Sequence, residues 1–168
     1  MKKGFTMIEL IFVIVILGIL ASVAIPRLAG TRADAEVATA VANIRTILSD
    51  AGGYYVAHGK FDVNWNNLTN VPLANAATTA ATTAANLKVG NVADCITVRA
   101  VIRDTTTKAP AHIKFTKKTN PDGVCAQVLA ADPIVALVDN TINYTDASTN
   151  AAATIPNAMP IGSTTSVY

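Results

Sequence analysis

Residues 5–25 read FTMIELIFVIVILGILASVAI, an apolar run carrying a single charge, Glu9. As a helix it spans about 31 Å, roughly the hydrocarbon core of a bilayer. Lys2 and Lys3 precede it, with only Gly4 between them and the apolar residues. The positive-inside tendency puts such an N-terminus in the cytoplasm and the chain after Pro26 across the membrane. A carboxylate in such a run costs roughly 2.5–3.5 kcal/mol at a helix centre, less near an end. Three readings compete: a secretory signal peptide cut after small residues such as Ser22 and Ala24, a plain anchor, and an apolar helix kept in the mature protein after a short leader is removed. Glu9 weighs against the first two, because neither a disposable signal nor an anchor needs a buried acid.

The next segment favours the third reading. From Arg27 to about His58 the apolar positions Val37, Val41, Ile44, Leu48, Ala51 and Tyr55 fall three or four apart, on one stripe of a helix. Arg32, Asp34, Glu36, Arg45 and Asp50 lie among them. Pro26 removes one backbone hydrogen bond, which in a long apolar helix kinks more often than it terminates. The pattern predicts one helix from Phe5 to about His58, roughly 80 Å long, with an apolar half and an amphipathic half. Gly52-Gly53 could fray its end.

Composition agrees. The chain has 168 residues, 51% of them hydrophobic and only 14% charged, against about 25% charged in ordinary soluble domains. Intrinsic disorder of the whole chain is excluded. The net charge of +2 gives no basic footprint for nucleic acid. Without Lys2 and Lys3, basic and acidic side chains balance at eleven each. Two cysteines and two histidines exclude a disulfide-dense scaffold and leave little for a zinc site.

The segment Lys2-Lys3-Gly4-Phe5-Thr6-Met7-Ile8-Glu9-Leu10 resembles the processing site of type IV prepilins and type II secretion pseudopilins. The resemblance is strong to about residue 30, architectural to 58 and weak beyond. It implies a 1–4 leader, cleavage by a prepilin peptidase between Gly4 and Phe5, and N-methylation of Phe5. It implies an assembly role for Glu9, and a helix that unwinds between Gly18 and Pro26 in the filament. It implies a fold of class α+β, with a long N-terminal helix packed on a small antiparallel sheet. The partners implied are copies of the chain, related minor pilins and the inner-membrane assembly machinery. The place implied is the bacterial inner membrane, then an extracellular pilus or a periplasmic pseudopilus.

The physics can be stated separately. Cleavage after Gly4 exposes an ammonium on Phe5, and Glu9 lies one helical turn later. A subunit joining a filament brings its amine near an older subunit's Glu9, and a paired charge at low dielectric is far cheaper than a lone one. Snorkelling of Glu9 to the headgroups is the alternative.

Residues 5–26 are thus expected as the membrane and filament-core helix, 27–58 as its amphipathic half, and 59–168 as a globular head. In the head, 61–73 reads as a loop with one aromatic anchor, Trp65. The Ala/Thr tract 74–86 reads as a surface loop that could carry sugars on Thr78, Thr79, Thr82 or Thr83. Strands are expected at Cys95–Arg103, Ala111–Lys117 and Val124–Ala130, the last two joined by the turn signal Asn120-Pro121-Asp122-Gly123. Pro133–Val138 reads as a fourth strand or a short buried element, and 143–168 as an irregular surface tail. Ile96, Val98, Ile113, Phe115 and Val128 are expected to meet the helix stripe.

Cys95 and Cys125, with 29 residues between them, are expected to form a disulfide outside the cytoplasm. Closing that loop would stabilise by roughly 3–4 kcal/mol. Two buried free thiols are the alternative. Related pilins usually place their disulfide nearer the C-terminus. No catalytic set, cofactor motif or metal pattern emerges. His58 and His112 stand alone, and Asp132, Asp139, Asn140, Asn143 and Asp146 match no calcium-ligand spacing. Two function classes remain: a structural subunit of a pilus or pseudopilus, and a monomeric membrane-anchored binding domain.

Overall fold

The computed structural model describes residues 4–75 and 84–161, apart from the side chain of Ala29. The tract threonines Thr78, Thr79, Thr82 and Thr83, the leader lysines and residues 162–168 lie outside the described residues. The chain is α+β. The long helix α1 covers Met7–His58 and contains Pro26. It contributes to two compact units, residues 1–35 and 36–168.

The first unit is the apolar part of α1. Its large side chains bury almost nothing: exposure runs from 92% at Phe5 to 40% at Ile16. Ser22 Oγ donates to the Ile19 carbonyl at 2.7 Å, so the hydroxyl in this stretch is satisfied within the helix. The helix is long and apolar enough to cross a membrane.

In the second unit, residues 36–58 of α1 present Ala40, Ile44, Ile47 and Ala51, all buried, with Val37, Val41, Leu48 and Tyr55 packed around them. They close on an antiparallel sheet of β1 (Leu73–Ala74), β2 (Ala85–Val89), β3 (Val92–Val101), β4 (His112–Lys117) and β7 (Ala158–Pro160), in the order β1-β2-β3-β4-β7. Val98 lies opposite Phe115, and Ala100 opposite Ile113, all buried. Helix α1 continues through Gly52-Gly53 to His58 rather than fraying there.

The reading of 61–73 as a loop anchored by Trp65 needs a small addition. Residues Trp65–Leu68 form one helical turn, α2, and Trp65 and Leu68 are buried. The Ala/Thr tract is not wholly a loop, because Ala85 and Asn86 already belong to β2. Ala85, Leu87 and Val89 are buried and Lys88 is exposed, so a period of two was present in ANLKV. A two-residue loop, Gly90-Asn91, joins β2 to β3, with Val89 paired to Val92. Gly90 has φ +57, the conformation that the first loop position of a II′ turn requires. Its N–H donates to Glu36 Oε2 at 3.1 Å.

Val124–Ala130 is not a strand. Gly123–Ala130 is helix α3, followed by α4 at Asp132–Val138, the short buried element of the two readings offered for that segment. Cys125, Val128 and Leu129 are the buried residues of α3, spaced three and four from the first, which is helical spacing. Asn120-Pro121-Asp122-Gly123 leads into the helix, with Asp122 at its N-cap. Pro133 sits in the first turn of α4, where its missing N–H is no loss. Val128 joins the core as expected, but from a helix.

The tail is not irregular over its described part. Strands β5 (Thr141–Asp146) and β6 (Ala151–Pro156) pair as a hairpin, and β7 completes the main sheet. Thr, Ile and Tyr in β5 are strand formers. Asp146 Oδ1 organises the turn by accepting from the Ser148 N–H and hydroxyl at 2.8 and 2.6 Å.

Candidate functional site

The start of α1 is a capping box. Thr6 precedes the first helical residue, and Glu9 stands at the third helical position. The Thr6 N–H donates to Glu9 Oε2 at 2.9 Å and the Thr6 hydroxyl donates to the same oxygen at 2.8 Å. The Glu9 N–H points back to Thr6 Oγ1 at 3.4 Å. Two N–H groups that the first turn leaves without helical partners are thereby engaged reciprocally. Glu9 also places negative charge at the positive end of the helix dipole. Thr6 is not among the candidate residues above, although Thr-x-x-Glu ahead of an apolar run is itself the signature of a capping box.

Glu9 Oε1 has no partner among the described residues, and neither does any cation meet this carboxylate there. The acid is therefore oriented by Thr6 but not neutralised. Phe5 stands just ahead of the cap, outside the helix and exposed. Gly4 is likewise outside the helix, and a Cβ built on it meets nothing within 4 Å. Gly18 and Pro26 both lie within α1. A Cβ on Gly18 would meet nothing, so no crowding in the single chain demands glycine there.

The cysteines are brought together: Cys95 in β3 and Cys125 in α3 form a disulfide with their Cα atoms 5.7 Å apart, both fully buried. It ties the sheet to the helix pair.

The remaining candidates separate. His58 stacks on Tyr54 with ring centroids 4.1 Å apart and its Nδ1 lies 3.0 Å from the Tyr54 carbonyl. His112 is buried in β4, with Nδ1 2.8 Å from the Pro110 carbonyl. Burial holds the His112 pKa below the usual imidazole range, and Lys114 adds to this against the opposing Pro110 bond. Asp139 pairs with Lys117 at 2.7 Å, and Asn140 donates to the Ala158 carbonyl at 3.4 Å. Asp146 is committed to Ser148, whose bonds hold its carboxyl below the usual range. Among the described residues no three His, Cys, Asp or Glu side chains converge on a metal-sized site.

The defining feature is thus an exposed apolar helical segment, residues 7–25, whose one acid, Glu9, is held by its own cap. Residues 1–25 match the family description "Prokaryotic N-terminal methylation motif". The chain is 44% identical over 64 residues to a type IV major pilin protein of Neisseria gonorrhoeae, covering 38% of this chain and 39% of that one. It is 42% identical over 64 residues to a fimbrial protein of Neisseria meningitidis serogroup A, covering 38% of each. It is 37% identical over 60 residues to the type II secretion system core protein G of Dickeya chrysanthemi, covering 36% of this chain and 39% of that one. The matches span about two fifths of the length of these relatives. No solved structure matches. The chain resembles type IV pilins and a type II secretion pseudopilin, and its long helix followed by an antiparallel sheet is the α+β arrangement expected of them.

Proposed function

We propose that this chain is a structural subunit of a type IV pilus-like filament. It is made as a membrane-inserted precursor, cut by a prepilin peptidase between Gly4 and Phe5, and methylated on the Phe5 amine. It then assembles with copies of itself, and with related minor pilins, through the 5–26 helix. One observation carries the reading: every large apolar side chain from Phe5 to Leu28 is at least 40% exposed, around a single acid. Such a surface has to be covered by lipid or by other copies. Both states occur in turn if the subunit leaves the membrane for a filament. The free Oε1 of Glu9 then accepts the Phe5 ammonium of a neighbouring subunit and sets the register. Gly18 and Pro26 supply the weak helix segment that packing can unwind. The precursor sits in the inner membrane with its N-terminus cytoplasmic and its head outside, where the buried disulfide is at home. The reading assigns adhesion, motility or secretion to the fibre and no catalysis to the subunit.

The test is intact mass of the membrane fraction together with electron microscopy of sheared surface material. A chain that begins at Phe5 with one added methyl, and fibres containing it, support the proposal. A mature start at Ile25 means a signal peptide. An unprocessed or processed chain that never enters fibres means a membrane-anchored monomer.

The similarity to core protein G favours a second reading, a pseudopilin of a type II secretion system. Deleting the gene separates the two: loss of surface fibres marks a pilus, and loss of secreted enzymes with fibres unaffected marks a pseudopilus.

A further inference from the structure

A shallow polar cleft of about 410 Å³, largely open to solvent, lies in the head between residues 49–54 of α1 and residues 66–70. Its size falls in the range of small-molecule sites, about 300–1,000 Å³, but its lining is unlike that of an apolar ligand pocket. Asp50, Asn66, Asn67, Thr69 and Asn70 supply the walls, with the half-buried Tyr54 at one side. We propose that this cleft binds a neutral saccharide, with Asp50, Asn66 and Asn70 as the residues that hydrogen-bond it.

The chemistry selects the ligand class. Among the described residues no cation lines the cleft, so an anion has no counter-charge there. Asp50 is the one carboxylate among the described lining residues, so a metal ion has too few hard ligands. Sugar hydroxyls both donate and accept, and the cleft offers complements to both roles. Thr69 Oγ1 donates to Asp50 Oδ2 at 2.8 Å, which fixes the carboxylate and leaves Oδ1 to accept from a ligand hydroxyl. The side-chain amides of Asn66 and Asn70 are exposed and make no bond among the described residues, so each offers donors and an acceptor. Asn67 is already used, on Asp62. That carboxylate also accepts from the Asn64 N–H at 2.8 Å and the Tyr54 hydroxyl at 3.2 Å, which pins the Tyr54 ring beside the cleft.

The 66–70 side of the cleft is anchored in the head. Leu68, which lines the cleft, is buried, as is Trp65 in the same helical turn, and the Asn64 side chain caps α2 by accepting from the Asn66 N–H at 3.0 Å. Groups held on such a support lose little freedom when they bind. Gly53 points the same way. It lies inside a helix, where glycine is unfavourable by roughly 0.5–1 kcal/mol relative to alanine, and a Cβ there meets nothing within 4 Å. Packing does not require glycine at this position, and because Gly53 lines the cleft a bulky side chain there would compete with a ligand for its space.

The full-length chain, 15N-labelled in amine-oxide micelles that contain no sugar headgroup, is titrated separately with the methyl glycosides of glucose, galactose, mannose and N-acetylglucosamine. At least one should shift the Asn66 and Asn70 side-chain amides saturably at millimolar concentration. Asn70→Ala should weaken binding several-fold, and Asp50→Asn by about tenfold, as expected for a lost bond to a charged group. Gly53→Phe should abolish binding while the rest of the amide spectrum keeps its native dispersion. No saturable shift with any of the four glycosides overturns the proposal. So does binding that survives both Gly53→Phe and Asn70→Ala. Neither result bears on filament assembly, which is read separately from fibre yield.

Discussion

One oxygen of Glu9, Oε2, accepts both the backbone N–H and the hydroxyl of Thr6, at 2.9 and 2.8 Å. The carboxylate therefore does local work within the single chain. Substituting an N-cap threonine by alanine typically removes about 1 kcal/mol. Thr6→Ala should loosen the first turn by that amount. Hydrogen exchange in micelles should report it: the Leu10 amide, which donates to the Thr6 carbonyl at 3.3 Å, should exchange about fivefold faster. Thr6→Ser, which keeps a hydroxyl, should exchange nearly as slowly as the parent. Equal rates in all three would mean the cap contributes nothing in a membrane-like environment.

The head's stability should depend on pH through His112. Burial depresses its folded-state pKa, and Lys114 adds to the depression. The unfolded chain takes up the proton in the ordinary range, near 6.5. Below that value the unfolded state binds more protons than the folded one, so stability falls with pH. The contribution is fully present above the unfolded value and is lost as the pH drops through the folded one. Urea unfolding should show the midpoint falling between neutral pH and pH 5, and His112→Gln should flatten that part of the curve. A variant that titrates like the parent would place the pH dependence elsewhere.

The disulfide gives a stability prediction with a magnitude. Cys95 and Cys125 are 30 residues apart in sequence, and closing a loop of that size should stabilise the head by roughly 3–4 kcal/mol. Replacing both cysteines by alanine also leaves small gaps, because both are fully buried. The double variant should therefore lose at least that amount in denaturant unfolding. A loss below about 1 kcal/mol would mean that the reduced chain already holds the sheet and α3 together.

What the sequence disclosed follows from how local each signal is. An unbroken apolar run from Phe5 to Ile25 leads towards the periodic stripe from Val37 to Tyr55, so the course of α1 to His58 can be read despite Pro26 and Gly52-Gly53. The core strands announced themselves where large β-branched or aromatic residues alternate, at Ile96 and Val98 and at Ile113 and Phe115. Small residues hid the rest. Ala85 and Asn86 belong to a strand but continue a run of alanine and threonine. β6 reads AAATIP, where pairing with β5 supplies what propensity does not. Val124–Ala130 was mistaken for a strand because its valines are β-formers, although Cys125, Val128 and Leu129 keep helical spacing. At the N-terminus the acid is legible as the one charge of the apolar run, whereas its local partner is an uncharged hydroxyl three residues earlier that stands out only as part of a capping box.

The most diagnostic variant is Glu9→Leu. It removes the one charge of the apolar run, so membrane insertion should become easier by some fraction of about 2.5–3.5 kcal/mol. The amphipathic part of α1, the sheet and the disulfide are untouched, so the head should fold as before. Two things are lost together: the side-chain half of the capping box and the Oε1 that the filament proposal pairs with a neighbouring subunit's amine. Thr6→Ala loses only part of the cap and retains the acid, so comparing the two variants separates the roles. Under the filament proposal, Glu9→Leu should sharply reduce sheared fibre while total membrane-bound subunit stays level. Thr6→Ala should reduce it less. A lone ammonium among packed apolar helices is costly, and without the carboxylate nothing fixes the register of one subunit against the next. Glu9→Asp keeps the charge but shortens its reach by one methylene, and should give an intermediate yield. Normal fibre yield from Glu9→Leu would show that the acid does not pair between subunits. Equal losses from Thr6→Ala and Glu9→Leu would assign the effect to the cap rather than to the charge.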